Sequence, residues 1–292
     1  MKKILITGAN SYIGTSFEKY ITENYPDDYS IDTLDMQDPK WRNHDFTVYD
    51  VVFHVAGIAH ADVGHVSEET KKLYYKVNTD LTVETAQKSK KSGVKQFIYM
   101  SSIIVYGESA PIGKKKIITS ETKPSPQNFY GDSKLQADIK LQSMNDESFK
   151  VCILRPPMIY GPDCKGNYQM LSKLAVRLPI FPDIKNERSM LYIGNLCCFV
   201  EQCIREMNCG IYFPQNSEYV STVSMVKQIA KVHGKKIHIT KLLNPFIYIL
   251  SKIPGRTKKL CNKAFGSISY EKINPINKTN FCKSIKKSEL LI

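Results

Sequence analysis

The chain predicts a doubly wound α/β fold: a largely parallel sheet with helices on both faces, followed by a smaller C-terminal domain. Three observations predict it. Apolar runs of strand length alternate with helical patterns through the first half. The first such run ends in a glycine-bearing turn that opens a helix. Beyond Arg155-Pro156-Pro157 the regular alternation stops and the pattern becomes mixed. At 292 residues and 42% hydrophobic, the chain can bury a large core in one or two domains.

Residues 3–7 form a short apolar strand, and residues 12–22 a helix. Residues 29–34 read as a strand ending at Asp35, and Val51-Val52-Phe53-His54-Val55-Ala56 as a buried strand. Only 15 positions separate Asp35 from Asp50, too few for another full helix-strand-helix, so residues 35–38 could occupy the strand that would come next. Residues 68–91 make a long helix, capped by Ser67 and stopped by Gly93. Residues 96–100 and 150–154 are strands, with a helix over 130–143 between them. In the second half, residues 167–177, 194–207 and 222–232 read as helices and 210–213 as a short strand. The expected division is a first domain over 1–157 with a segment near 188–213 returning to its sheet, and a second domain over 158–187 and 214–292. The apolar run from Leu242 to Leu250 reads as a packed helix of that second domain rather than a helix lying on a membrane.

Net charge is +13, with its densest run at Lys114-Lys115-Lys116. No aromatic-interleaved nucleic-acid motif surrounds the lysines, so most of this charge is read as solvated surface, with a small part for an anionic ligand. The eight cysteines include no C-x-x-C pair and have no histidine cluster beside them. That predicts no disulfide framework and no metal site, and a reducing cytoplasm. The N-terminal apolar stretch is too short for a signal peptide, and no run reaches transmembrane length. The expectation is no nucleic-acid partner and no stable membrane insertion.

Gly8-Ala9-Asn10-Ser11-Tyr12-Ile13-Gly14 joins the first strand to the first helix, where a pyrophosphate meets a helix N-terminus. Gly8 suits the sharp turn, and Gly14 the close approach of helix to strand. Ser11 stands where a middle glycine is usual; its β-carbon would crowd a phosphate, although its N–H and hydroxyl can donate. Asp35 at the end of the second strand suits a ribose 2′-hydroxyl and repels a 2′-phosphate, favouring NAD, with NADP the other admissible form.

Tyr130-Gly131-Asp132-Ser133-Lys134 sits 28 residues after Ser102. A tyrosine and lysine four apart share a helix face, and an ammonium beside a phenol lowers its pKa. The spacing alone is weak: composition supplies about two such matches by chance, and Tyr248-Ile249-Leu250-Ser251-Lys252 is a second.

Taken together, these residues resemble the extended short-chain dehydrogenase/reductases, the nucleotide-sugar epimerase/dehydratase group with its Rossmann-like sheet and smaller C-terminal substrate-binding domain. Thr7-Gly8 through Gly14 is similar to that group's cofactor loop, and Phe53-His54-Val55-Ala56-Gly57 to its fourth-strand motif. Asn78 is similar to its helix asparagine near the cofactor. Ser101-Ser102-Ile103-Ile104-Val105-Tyr106-Gly107 resembles its active-site strand, and Tyr130 with Lys134 its catalytic pair. Arg155-Pro156-Pro157-Met158-Ile159-Tyr160-Gly161-Pro162 resembles the segment entering the substrate domain, and Arg188-Ser189-Met190-Leu191-Tyr192-Ile193 the segment whose arginine grips a diphosphate. Tyr248 has no serine-bearing strand before it and is set aside.

The resemblance implies that Ser102, Tyr130 and Lys134 are catalytic. It implies that Gly8, Asn10, Ser11, Tyr12, Ile13, Gly14, Asp35, Ala56, Gly57, Asn78, Tyr130 and Lys134 bind NAD or NADP. It also implies that Ser102, Asn167 and Arg188 bind a UDP-sugar. Asn167 could equally cap its helix, and Met158 stands where some members carry an asparagine. In the group, 4,6-dehydratases carry an Asp-Glu pair directly after the catalytic Ser or Thr; here Ile103 and Ile104 stand there and cannot move protons. That leaves 4-keto-sugar reduction or 4-epimerisation of a UDP-hexose in surface-polysaccharide precursor synthesis. The reading leans to reduction, because Ser11 would loosen the pyrophosphate and suit cofactor exchange. Atypical relatives that only sense NAD(P) usually lack the Tyr/Lys pair that this chain retains. A homodimer through the helices at 68–91 and 130–143 is the expected assembly.

Overall fold

The computed structural model describes residues 1–59, 66–272, 275–276 and 278–289. In chain order the elements begin with β1 (Lys2–Thr7), α1 (Tyr12–Asn24), β2 (Tyr29–Leu34), β3 (Val51–His54), α2 (Glu68–Tyr75), α3 (Thr82–Lys91), β4 (Gln96–Met100), β5 (Ile117–Ile118), α4 (Phe129–Gln142) and β6 (Lys150–Leu154). They continue with β7 (Met158–Tyr160), α5 (Asn167–Arg177), β8 (Ile180–Pro182), β9 (Met190–Tyr192), α6 (Ile193–Arg205), β10 (Gly210–Tyr212), α7 (Thr222–Val232), β11 (His238–Thr240), α8 (Asn244–Leu250), α9 (Arg256–Phe265), β12 (Ser269–Tyr270) and α10 (Phe281–Glu289).

Two compact units emerge. The first comprises Met1–Gly107, Pro124–Pro156 and Leu196–Pro214. Its six strands lie in the order β10-β6-β4-β3-β1-β2, every neighbouring pair parallel. The strands are continuous apolar runs because helices cover the sheet, and Ile4, Leu5, Ile6, Val51, Val52, Phe53, Phe97 and Ile98 are fully buried. This is the Rossmann-like doubly wound sheet the sequence predicts. Residues 35–38 do not form a further strand. Asp38 instead caps a 3₁₀ turn, Pro39–Asn43, whose Trp41 is buried. The single long helix expected over 68–91 is interrupted by a π-helical turn, Lys76–Leu81.

The second unit comprises Glu108–Lys123, Pro157–Asn195 and Gln215–Ile292. It differs from the expected division in two places. The return to the sheet begins at Leu196 rather than near 188, and residues 108–123 leave the first unit altogether. The physical reason lies in the strand pairings: β5 pairs β12, β7 pairs β9 and β8 pairs β11. The run from Leu242 to Leu250 is not a packed helix. α8 buries none of its residues, and Leu242, Phe246 and Ile249 face solvent. Among the described residues no helix is long and apolar enough to cross a membrane, and no group of His, Cys, Asp and Glu is placed to hold a metal ion.

Candidate active site

The loop after β1 turns at Gly8, whose φ is +116°, a conformation that side-chain-bearing residues rarely adopt. A Cβ there would stand 2.7 Å from the backbone nitrogen of Ala56. Leu34 at the end of β2 accepts the Gly8 and Ala9 N–H groups at 2.9 and 3.1 Å, so the loop is pinned against the neighbouring strand. Asn10 also has positive φ, at +61°. Ser11 caps α1, its Oγ accepting the Gly14 N–H at 3.2 Å. Its own N–H donates to the Gly8 carbonyl, also at 3.2 Å. Gly14 is buried, and a Cβ there would press on Ile6 at 3.1 Å. The first turn of α1, with Tyr12 and Ile13, therefore stands over a loop without bulk, an arrangement that fits a dinucleotide pyrophosphate.

Asp35 is exposed and directly follows β2, and its Oδ1 accepts the Gln37 N–H at 2.9 Å. It lines a cavity of about 320 Å³ together with Asp38, Lys40, Trp41 and His44.

Ala56 and Gly57 follow β3. A Cβ on Gly57 would meet Asn78 Oδ1 and Lys134 Nζ, each at 3.1 Å. Asn78 is fully buried on the π turn. Its Oδ1 accepts from Ile58 N–H at 2.8 Å, and its Nδ2 donates to the Ile58 carbonyl and to Ser133 Oγ, both at 3.1 Å. Its side chain is thus a strut between the loop after β3 and α4. Beneath it, His54 is buried between Thr7 and Thr82, at 2.8 and 3.0 Å. Burial, aided by the Lys134 charge, pushes His54 down to about 3, so it is neutral at physiological pH.

Ser102 follows β4 and starts a 3₁₀ turn, Ile103–Tyr106, its Oγ accepting the Ile104 N–H at 3.3 Å. Asn128 caps α4 by accepting the Gly131 N–H at 2.8 Å. That cap sets Tyr130 in the first turn, half-buried, with its side chain close enough to Ser102 to feel it. The Tyr74 ring lies edge-on, 6.0 Å away. Burial pushes the Tyr130 phenol up to about 12, against a lowering by Ser102. The Lys134 ammonium is directed elsewhere: it donates to the Met100 carbonyl at 2.9 Å and lies over the Tyr99 ring at 4.8 Å. Burial brings Lys134 down to about 8, and Asp138 opposes this.

Asp138 and Arg155 are residues whose place beside the site the sequence reading missed. Asp138 accepts from Arg155 Nε at 2.8 Å with its own side chain at 0% exposure, and Arg155 Nη1 donates to the Tyr106 hydroxyl at 2.6 Å. The signal was available: Asp138 lies four residues beyond Lys134, on the face that carries Tyr130.

Asn167 and Arg188 belong to the second unit. Gly166, with φ of +91°, is the N-cap residue of α5; Asn167 is the first helical residue and not the cap. Arg188 donates to the carbonyls of Lys263 and Gly266, at 2.7 and 3.3 Å, and burial lowers its pKa to about 10. A guanidinium has five donors, so these bonds leave capacity for an anion.

The chain belongs to the NAD dependent epimerase/dehydratase family, whose profile matches residues 4–208. It is 31% identical over 253 residues to a UDP-glucose 4-epimerase of Vibrio cholerae, spanning 78% of this chain and 75% of that one. It is 27% identical to the N-acetyl-alpha-D-glucosaminyl-diphospho-ditrans,octacis-undecaprenol 4-epimerase of Escherichia coli O157:H7, over 88% and 85% of the two chains. The fold matches that of a UDP-glucuronic acid 4-epimerase from Bacillus cereus solved with NAD, with TM-score 0.71 and 17% identity over 99% and 95% of the chains. It also matches a dTDP-4-dehydrorhamnose reductase from Clostridium acetobutylicum, with TM-score 0.66 and 22% identity over 82% of each. Membership makes this chain an NAD-dependent enzyme of nucleotide-sugar chemistry.

Proposed function

We propose that the enzyme oxidises and reduces C4 of a hexose carried on UDP, with 4-epimerisation as the net reaction. The observation that carries this reading is the nearness of the Tyr130 side chain to Ser102 after β4, with Lys134 one turn behind Tyr130. Two hydroxyls this near can both reach one sugar oxygen. Tyr130 in its ionised form takes the C4 hydroxyl proton and later returns it, so turnover needs the phenolate, which the positive charge of a bound NAD would favour. Ser102 holds the same oxygen through both stages. Lys134, charged below about pH 8, donates to the Met100 carbonyl at the end of β4. NAD bound over the Gly8 loop supplies the hydride chemistry. Asp35 holds its adenine-side ribose, Ala56 and Gly57 leave room for it, and Asn78 keeps that room open. Arg188 and Asn167 hold the diphosphate side of the substrate.

Ile103 and Ile104 follow Ser102 and offer no acid or base for eliminating water, which supports chemistry confined to one carbon. Two relatives aligned over three quarters or more of their own length are named as 4-epimerases, which favours epimerisation over the 4-keto reduction suggested by Ser11. Ser11 is committed to capping α1, so its effect on cofactor grip is smaller than its side chain suggests. Leu73 on α2 and Ile139 on α4 are exposed, which supports a homodimer through those helices.

The test is to incubate the protein with UDP-glucose or UDP-N-acetylglucosamine and no added reductant. Interconversion with the C4 epimer is expected, and Tyr130→Phe should slow it by about 10²–10⁴-fold while leaving NAD binding intact. The same protein is offered a UDP-4-keto-6-deoxy-sugar with NADH or NADPH. Stoichiometric cofactor oxidation there, with no interconversion above, makes the enzyme a reductase and overturns epimerisation.

A further inference from the structure

We propose that the segment from Lys241 to Phe265 in the second unit is a docking surface for an anionic lipid bilayer. Its apolar side chains point outward. Leu242 is 88% exposed, Ile249 62% and Phe246 59%, and Ile253 and Leu260 are exposed as well. Phe246 and Ile249 lie three apart on α8 and share one face, and Leu242 just before the helix and Ile253 just after it extend the apolar stripe along the chain. In α8 and α9 together, Phe265 alone is buried. Scattered exposed apolar residues need no explanation, but a contiguous stripe does.

The charge around the stripe selects its occupant. Between Glu218 and Glu271 the chain has ten Lys and Arg and no acidic residue. Of these, Lys241, Lys252, Lys258 and Lys259 are exposed on or beside the two helices. A second copy of this chain, with its net charge of +13, would set one lysine-rich rim against another. A nucleic acid would meet the lysines but not five large aliphatic and aromatic side chains. A bilayer with anionic headgroups meets both: the stripe enters the acyl boundary and the lysines reach the phosphates. The helices are too short to span, so the association lies in the plane of the interface. It is independent of the reaction assigned to the first unit.

The test is co-sedimentation of the full-length protein with vesicles of equal parts phosphatidylglycerol and phosphatidylcholine, and with vesicles of phosphatidylcholine alone. Binding to the anionic vesicles is expected to be tighter by roughly tenfold or more. Phe246→Glu combined with Ile249→Glu should weaken it by about tenfold, and so should reversing Lys252, Lys258 and Lys259 to Glu. Both variants should keep the wild-type unfolding midpoint, because the side chains are exposed. Equal affinity for the two vesicle types overturns the proposal. So does an apolar-stripe variant that binds like wild type, which would reduce the effect to charge alone. Light scattering that finds a dimer, split by Phe246→Glu with Ile249→Glu, assigns the stripe to a second copy and also overturns it.

Discussion

Tyr130 must exchange a proton with an alcohol, yet burial holds its phenol at about 12, above the ordinary value of 10. The free enzyme therefore keeps the proton on Tyr130 at neutral pH. Ser102 alone counters burial, so it tempers its neighbour. The sign is testable. In the cofactor-free protein, the ultraviolet titration of wild type minus Tyr130→Phe should show a phenol ionising near 12. Ser102→Ala should push it higher, because the lowering influence is removed. An ionisation below 10 would mean that Lys134 acts directly on the phenol, against the geometry in which its ammonium serves Met100. The identity of Tyr130 was legible from its spacing to Lys134 and Ser102. The direction of its pKa was not, because spacing places a lysine on the same face but does not say where its ammonium points.

At the level of elements, α4 is the organising piece. Tyr130, Lys134 and Asp138 recur every four residues along one face, and Asp138 anchors that face to Arg155 at the end of β6 and, through it, to Tyr106 after β4. Burial raises the Asp138 carboxyl, while Arg155 and the nearby Ser101 hydroxyl pull it back down. Both partners are nearly inaccessible, with side-chain exposures of 4% and 0%. Removing one leaves the other charged and desolvated. Arg155→Met should therefore cost about 3–5 kcal/mol in urea unfolding. Asp138→Leu with Arg155→Met should recover much of that loss. A single variant near wild type, or a double variant that costs the sum of two singles, would contradict the assignment. The long strands and α4 were legible because apolar runs and a capping asparagine are local signals. The π turn at Lys76–Leu81 was not, since the apolar period continues through it with only a slip of phase. Nothing in the sequence announced Asn78 as the strut that joins Ile58 to Ser133, because its partners lie 20 and 55 residues away in the chain.

Across the whole molecule, the second unit is assembled from three stretches of chain, and its sheets join residues far apart in sequence. Ile117 pairs with Ser269, Met158 with Met190 and Ile180 with His238. Strands of two or three residues carry no period, so nothing local announces them; the Lys-rich tail read as mixed for that reason. Single hydrogen bonds add to the closure. Ser189 N–H donates to the Ile268 carbonyl at 3.1 Å, Arg188 N–H to the Val220 carbonyl at 3.1 Å, and Thr279 N–H to Asn195 at 2.9 Å. The six-stranded sheet, by contrast, is complete by Tyr212. A chain ending at Pro214 therefore keeps every strand of that sheet while β5, Arg188 and Ser189 lose their partners. Hydrogen exchange should find the amides of β1, β3, β4 and β6 still protected in the truncated chain. Those of Arg188 and Ser189 should exchange orders of magnitude faster than in the full chain, since nothing remains to accept them. Continued protection at Arg188 and Ser189 would mean that the middle segment holds its own structure. Loss of protection across the sheet would mean that the first unit depends on the tail for its fold.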